Sequence, residues 1–101
     1  MDVKRDPERI EIEALLDFVG DLTGKRVLEI GAGTGRLTWR YASHAEEVVS
    51  IDPNPERIAQ AHTDMPKALQ GRVVMLESTL EDYQREAKAP LFDIALMSWA
   101  L

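Results

Sequence analysis

The chain contains no cysteine, which excludes a disulfide scaffold, a thiolate metal site and a thiol nucleophile. No apolar run approaches the ~18 residues that a membrane span requires. No apolar segment follows the charged residues at the N-terminus, so a signal peptide is not predicted and a cytoplasmic location is expected. No pair of acids or histidines has the spacing of metal ligands, and we therefore predict no metal site.

Basic residues are also fewer than acidic residues. The chain has 12 lysines and arginines against 18 aspartates and glutamates, and its net charge is −6. An acidic field disfavours binding to nucleic acid or to an anionic membrane surface. The length of 101 residues and the hydrophobic content of 45% predict one globular domain over residues 1–101.

The most informative stretch is a glycine-rich turn behind an apolar run. Residues 27–30 form that run, with Glu29 inside it, and Gly31, Gly33 and Gly35 follow at alternate positions. Glycines in a turn between a strand and a helix allow the backbone to approach a ligand closely. The alternative is a tight turn that binds nothing.

Asp52 ends a second apolar run, about 20 residues beyond the glycines. A strand, a glycine turn, a helix, a second strand and an acid at its tip is the arrangement that holds a nucleoside in a doubly wound sheet. Asp52 would accept hydrogen bonds from the ribose hydroxyls. The alternative is an acid that starts a helix or an Asx turn, because Pro53, Asn54 and Pro55 follow it.

The glycine spacing bears on the ligand. A dinucleotide fingerprint, G-x-G-x-x-G/A, needs a small residue at position 36, where this chain has Arg36, and its third glycine, Gly35, comes one position early. Glu29 would also lie near a pyrophosphate, which prefers bare amides. S-adenosylmethionine carries no phosphate, and an acid can balance its sulfonium and ammonium charges. A nicotinamide enzyme is therefore disfavoured.

With its E-x-G-x-G-x-G motif and the strand-end acid, the chain resembles the S-adenosylmethionine-dependent methyltransferases with a Rossmann-like fold. Two further strands at the expected intervals, residues 72–77 and 92–97, extend the resemblance from about Lys25 to Leu101. The resemblance implies an α/β three-layer sandwich whose parallel sheet has the strand order 3-2-1-4. The strands should be apolar on both faces, as in parallel sheets covered by helices.

Four helices are predicted around these strands. A helix before the first strand, with Ile12, Leu15, Leu16 and Val19 as its apolar stripe, is typical of the family. Proline, asparagine and an S-x-x-E capping box mark the helix starts. These starts are placed at Asp6, at Thr34 or Gly35, at Asn54 and at Ser78.

The resemblance implies S-adenosylmethionine as cofactor, with S-adenosylhomocysteine as product. It places Glu29 near the methionine end of the cofactor, and the alternative is a buried acid with partners of its own. The cofactor-binding residues that it implies are Glu29, Gly31, Ala32, Gly33, Gly35, Asp52, Pro53, Thr79, Leu80 and Ser98.

Thr79 departs from the family pattern. Ser78 and Thr79 stand where Gly-Asp is common, and that aspartate usually accepts a bond from the adenine amino group. Threonine accepts more weakly than a carboxylate, and its hydroxyl is equally suited to capping the next helix. The backbone amide of Leu80 is a further candidate for contact with the ring.

Residues after the fourth strand bear on the methyl acceptor. Ser98 and Trp99 stand where the family has its transfer site, and the N/D-P-P-Y/F motif of nucleobase amino methyltransferases is absent. Trp99 would equally serve as a core residue. The expected acceptor is a small molecule, and the chain offers no evident catalytic base.

Two functions of other classes stay open beside a methyltransferase. One is a non-catalytic S-adenosylmethionine-binding or assembly module, and the less favoured one is a nicotinamide-binding domain. Family members usually have seven strands in the order 3-2-1-4-5-7-6, and this chain ends on the fourth. The open edge of that strand predicts pairing with a second copy of the chain.

Overall fold

The computed structural model describes residues 21–86 and 92–97, and the secondary structure within them alternates between strands and helices. The strands are β1 (Arg26–Ile30), β2 (Glu47–Asp52), β3 (Val73–Glu77) and β4 (Ile94–Met97). The α-helices are α1 (Arg36–Tyr41), α2 (Pro55–Asp64) and α3 (Leu80–Glu86), with short 3-10 turns at Ala42–His44 and Lys67–Leu69.

The four strands form one parallel sheet in the order β3-β2-β1-β4, which confirms the predicted order. Successive connections step outward from β1 to β3, and the chain then returns to the other side of β1 for β4. The sheet therefore reverses its strand order between β1 and β4. Open α/β sheets bind ligands in the crevice at such a reversal, beyond the carboxyl ends of the strands.

The core has two parts because alternate strand residues face opposite sides of the sheet. One side packs against α1 and α2 and includes Val27, Val48 and Ile58. The other side centres on Leu28, Val49 and Ile51, with Leu80 and Tyr83 of α3 among the side chains against it. Helices on both sides of a parallel sheet make the three-layer Rossmann-like sandwich.

The helix starts agree with the sequence signals, with one correction. Asn54 caps α2 and accepts hydrogen bonds from the amides of Glu56 and Arg57, at 2.9 and 3.2 Å. The cap of α3 is Thr79, whose hydroxyl accepts from the Asp82 amide at 3.1 Å. The S-x-x-E box that began at Ser78 was therefore off by one residue, because a capping side chain needs its acceptor just outside the first helical residue.

The outer strands contradict the expectation of strands that are apolar and covered on both faces. Val74 and Leu76 of β3 and Met97 of β4 are 44%, 38% and 47% exposed. Edge strands have a neighbour on one side only, and α3 buries none of its own residues. The covering layer over this face is therefore incomplete within the part of the chain that the structure describes.

Some predictions fall on other residues. The N-terminal helix from Asp6, the Ser98 site and Trp99 lie outside residues 21–86 and 92–97. Among the described helices, none combines the length and the apolar character that crossing a bilayer requires.

Candidate functional site

A cleft of about 490 Å³ opens at the carboxyl ends of β1, β2 and β3. Its volume lies in the range of about 300–1,000 Å³ that is usual for small-molecule sites. The cleft brings together Gly31, Asp52, Pro53, Thr79 and Leu80 from the predicted set. Five further residues line it, namely Ile30, Ile51, Asn54, Arg57 and Ser78.

The glycine turn is bound by its backbone to the end of β2. The amides of Gly31 and Ala32 both donate to the carbonyl oxygen of Ile51, at 2.9 and 3.1 Å. Gly31 and Gly33 have φ angles of +77° and +62°, which side chains of L-residues rarely tolerate. These φ angles are enough to explain glycine at both positions, whether or not a ligand binds.

Gly33 and Gly35 differ in what surrounds them. A Cβ atom built on Gly33 would meet no heavy atom within 4 Å, so open space lies in front of the turn there. A Cβ on Gly35 would overlap the indole ring of Trp39. The geometry at Gly33 is what close approach of a ligand requires, whereas Gly35 is explained by its left-handed backbone and by Trp39.

Asp52 joins the glycine turn to the start of α2. Its Oδ2 accepts from the Gly33 amide and its Oδ1 from the Asn54 amide, both at 2.9 Å. The residue is only 3% exposed. The bond to the Asn54 amide means that Asp52 also forms the Asx turn that was the alternative to ligand binding. A carboxylate has about four lone-pair sites, and the two amides occupy two of them. Acceptor capacity therefore remains for a ligand in the cleft.

The end of β3 supplies the third wall of the cleft. Thr79 lines it while capping α3. The Ser78 hydroxyl donates to the carbonyl oxygen of Thr79 at 2.8 Å, and the Ser78 amide donates to the carbonyl oxygen of Asp52 at 3.0 Å. The position where the family pattern has an aspartate is therefore occupied by the Thr79 hydroxyl, which caps α3, and not by a carboxylate.

A family model described as a methyltransferase domain matches residues 27–101, and this range includes the glycine turn and the ends of all four strands. The chain belongs to this family. Membership indicates S-adenosylmethionine as the cofactor, and the open space at Gly33 together with the spare acceptor capacity of Asp52 fits a nucleoside ligand.

Two curated proteins illustrate the range of relatives of this methyltransferase domain. Magnesium-protoporphyrin O-methyltransferase from Rhodobacter capsulatus is 42% identical over 53 residues, which cover 52% of the chain. A tRNA U34 carboxymethyltransferase from Dichelobacter nodosus is 35% identical over 75 residues, or 73% of the chain. In each case the match spans only 24% of the relative's own length.

A solved structure adds to the comparison. Phosphoethanolamine N-methyltransferase 1 of Haemonchus contortus, in complex with phosphoethanolamine and S-adenosylhomocysteine, is 30% identical with a TM-score of 0.58. The alignment covers 70% of this chain and 15% of that protein. The three relatives differ in what their names say they methylate or modify, so they show the family without identifying an acceptor.

The structure does not place Glu29 among the residues that line the cleft. The side chain has no exposed surface, and its Oε1 accepts hydrogen bonds from the hydroxyls of Thr38 and Ser50. This agrees with the alternative of a buried acid with partners of its own. The reason is the pleat of β1, which directs Glu29 to the side of the sheet that α1 and α2 cover.

Sequence reasoning missed Arg57, which lines the cleft, and Ser50, which lies in the protein interior. Arg57 lies in the first turn of α2, and among the described residues it and Asp52 are the two charged ones that line the cleft. Its position three residues after the Asn54 cap was the available signal. The signal for Ser50 was a single hydroxyl in an otherwise apolar strand, which needs a buried polar partner. The register of β1 and β2 places it beside Glu29.

Proposed function

We propose that the cleft binds S-adenosylmethionine and that the chain forms the cofactor-binding part of a methyltransferase acting on a small-molecule acceptor. The observation that carries the proposal is the Asp52 carboxylate, which binds the Gly33 amide at 2.9 Å at the edge of the cleft. In this arrangement the acid supplies hydrogen-bond acceptors for a nucleoside, and the glycine turn lets the nucleoside approach the backbone closely.

Each wall of the cleft has a proposed partner on the cofactor. The remaining lone pairs of Asp52 accept from the ribose hydroxyls, and the backbone at Gly31 and Gly33 runs beside the sugar and the methionine part. Thr79 and the Leu80 amide face the adenine. Ala32, Pro53 and Gly35 support the turn and the strand end, and Ser98 remains a prediction outside the described residues.

When bound, S-adenosylmethionine supplies a methyl group on a positively charged sulfur. Held in the cleft by the residues named above, it would offer that methyl carbon to an electron pair of an acceptor O, N or C atom, and the electrons of the C–S bond would stay on sulfur. The products are the methylated acceptor, S-adenosylhomocysteine and the proton that the acceptor loses. The part of the chain in this step is to position the reactants and to exclude water.

A small-molecule acceptor is supported by charge and by one relative. The net charge of −6 opposes binding to a polyanion, and a porphyrin is the substrate named for the Rhodobacter relative. The Dichelobacter relative acts on tRNA, so an RNA acceptor is the outcome that would contradict this part of the proposal.

The edge of β4 supports self-association. β4 pairs with β1 on one side, and within residues 21–86 and 92–97 no strand pairs with its other side. Its Met97 is also 47% exposed. An edge strand with apolar side chains favours pairing with another strand, and we propose a two-fold dimer along it.

Calorimetric titration tests the cofactor assignment. We expect S-adenosylmethionine and S-adenosylhomocysteine to bind and NADH not to bind. Binding of NADH in preference to both would overturn the assignment. Release of S-adenosylhomocysteine with a panel of small acceptors then separates an enzyme from a non-catalytic binding module, and stimulation by tRNA alone would contradict the small-molecule acceptor.

A further inference from the structure

A buried polar cluster lies on the side of the sheet that α1 and α2 cover, two residues before the cleft along β1 and β2. Its members are Glu29 of β1, Ser50 of β2, and Thr38 and Tyr41 of α1. The first three have no exposed surface and Tyr41 is 1% exposed. Buried polar groups are costly unless they are hydrogen-bonded, so the pattern of bonds within this cluster is informative.

One oxygen of Glu29 joins three elements of the fold. Its Oε1 accepts from the Thr38 hydroxyl on α1 and from the Ser50 hydroxyl on β2, the latter at 2.9 Å. Glu29 and Ser50 are also register partners across the two strands. A low-dielectric surrounding strengthens such bonds, and the carboxyl group therefore fixes α1 and β2 relative to β1.

The same three elements carry the walls of the cleft. Gly31 follows Glu29 by two residues, Asp52 follows Ser50 by two, and Thr38 lies in the first turn of the helix that the glycine turn leads into. Two residues of a strand span roughly 7 Å. The cluster is thus one pleat below the place where the glycine turn and Asp52 meet.

We propose that Glu29 is a positioning residue for the cofactor, a role that rests on the proposed function. By tying Thr38 to Ser50 it holds the glycine turn against the end of β2, so that the Gly33 amide reaches Asp52 Oδ2 at 2.9 Å. Its effect on S-adenosylmethionine passes through its neutral hydroxyl partners and not through its charge. A direct contact with the cofactor ammonium is the competing role.

Tyr41 of α1 completes the cluster. Its hydroxyl and the Oε2 atom of Glu29 are buried, and neither has a hydrogen-bond partner in the described part of the chain. Burial raises the pKa of Tyr41 well above its usual value, and the nearby Glu29 carboxylate raises it further.

Glu29→Gln and Glu29→Leu separate the two roles. Glutamine keeps an oxygen that accepts from both hydroxyls, so its affinity for S-adenosylmethionine should stay within about threefold of the parent. Leucine removes both bonds, and a smaller population of the competent arrangement should weaken affinity by about tenfold. Affinity is measured by calorimetry, together with the free energy of unfolding.

Thr38→Val and Thr38→Ser cover the case in which the leucine variant does not fold. Valine should weaken binding by about fivefold, on the scale of one hydrogen bond, and serine should restore it. In an Asp52→Ala background the Thr38→Val effect should shrink, because the link to Gly33 is already lost. A core variant that removes a methylene from α2, Ile58→Val, should lower stability without changing affinity.

Two results would overturn the proposal. A loss of tenfold or more in Glu29→Gln would assign Glu29 to direct charge contact with the cofactor. Unchanged affinity in both Glu29→Leu and Thr38→Val, with only reduced stability, would make the cluster merely structural. Failure of the parent chain to bind S-adenosylmethionine would instead refute the proposed function.

Discussion

The two central strands and the two outer strands are built from similar apolar residues, but they differ in burial. Val48 and Ile51 of β2 are 0% and 1% exposed, whereas Val74 of β3 and Met97 of β4 are 44% and 47% exposed. Central strands have neighbours on both sides and helices on both faces. The buried ends of the central strands can hold polar groups in a fixed geometry. The outer strands have exposed apolar side chains that another strand or chain could contact.

The buried carboxyl groups follow the same division. Asp52 and Glu29 lie on the central strands and are 3% and 0% exposed. Asp52 accepts from backbone amides at the cleft, and Glu29 accepts from side-chain hydroxyls in the interior. Substitutions at the central strands should therefore affect cofactor binding most, and substitutions at the outer strands should affect it least.

Gly33→Val should have the largest effect and abolish S-adenosylmethionine binding. The side chain would fill the open space in front of the turn, and a φ of +62° would strain a β-branched residue by about 1–3 kcal/mol. Gly24→Val is the control, since Gly24 has a φ of +74° and equally open space but precedes β1, at the end of that strand opposite to the glycine turn and the cleft. Equal cofactor affinity in both variants, measured by calorimetry, would show that the glycine turn binds nothing.

Asp52→Ala should weaken S-adenosylmethionine binding by about 1.5–3 kcal/mol, the scale of a hydrogen bond to a charged group. It should also lower the free energy of unfolding, because the Gly33 and Asn54 amides lose their acceptor. Asp21→Ala is the control, since Asp21 Oδ1 makes the same kind of bond to the Thr23 amide at 2.8 Å, away from the cleft. An Asp52→Ala protein that binds as the parent does would remove the ribose assignment.

Thr79→Asp tests the outer wall of the cleft, at the end of β3. Aspartate keeps the cap of α3 and adds a carboxylate, so affinity for S-adenosylmethionine should rise by about fivefold if this position faces the adenine amino group. Thr79→Val should cost about 1 kcal/mol of stability through the lost cap. Calorimetry and denaturant unfolding give the two values, and no gain with aspartate would leave Thr79 as a cap alone.

Met97→Lys should have no effect on cofactor binding and should weaken self-association along β4. A lysine on an edge strand opposes pairing with another strand. Sedimentation at micromolar concentration should show the parent as a dimer and the variant shifted toward monomer. Val74→Lys, on the opposite edge of the sheet, is the control, and a monomeric parent would contradict the proposed dimer.

The fold was largely predictable from sequence because its signals are local. Three alternating glycines, Asn54 before Pro55, and apolar runs at regular intervals each specify a turn, a cap or a strand without reference to distant residues. The strand order followed from the family resemblance and is confirmed. The cap of α1 is Gly35, one of the two predicted positions, whereas the cap of α3 is Thr79 and not Ser78, since both of these adjacent residues were able to serve as the cap.

The site was less predictable because it depends on which side of a strand each residue faces. In the sequence Glu29 and Asp52 are both acids near the end of a strand. In the structure Asp52 binds backbone amides at the cleft, whereas Glu29 binds side-chain hydroxyls in the interior. Gly35 read as part of the cofactor turn, yet Trp39 occupies the space beside it. Arg57 lines the cleft, and its signal in the sequence was only its position three residues after the Asn54 cap.

The sequence by itself determined the class of the protein, since composition, glycine spacing and the strand-end acid are properties of the chain alone. The tertiary structure decided which groups act together. Only the packing of α1 and β2 against β1 brings Thr38 and Ser50 to one oxygen of Glu29 and brings the Gly33 amide to Asp52. These contacts join residues that are distant along the chain, and pleat and register set them.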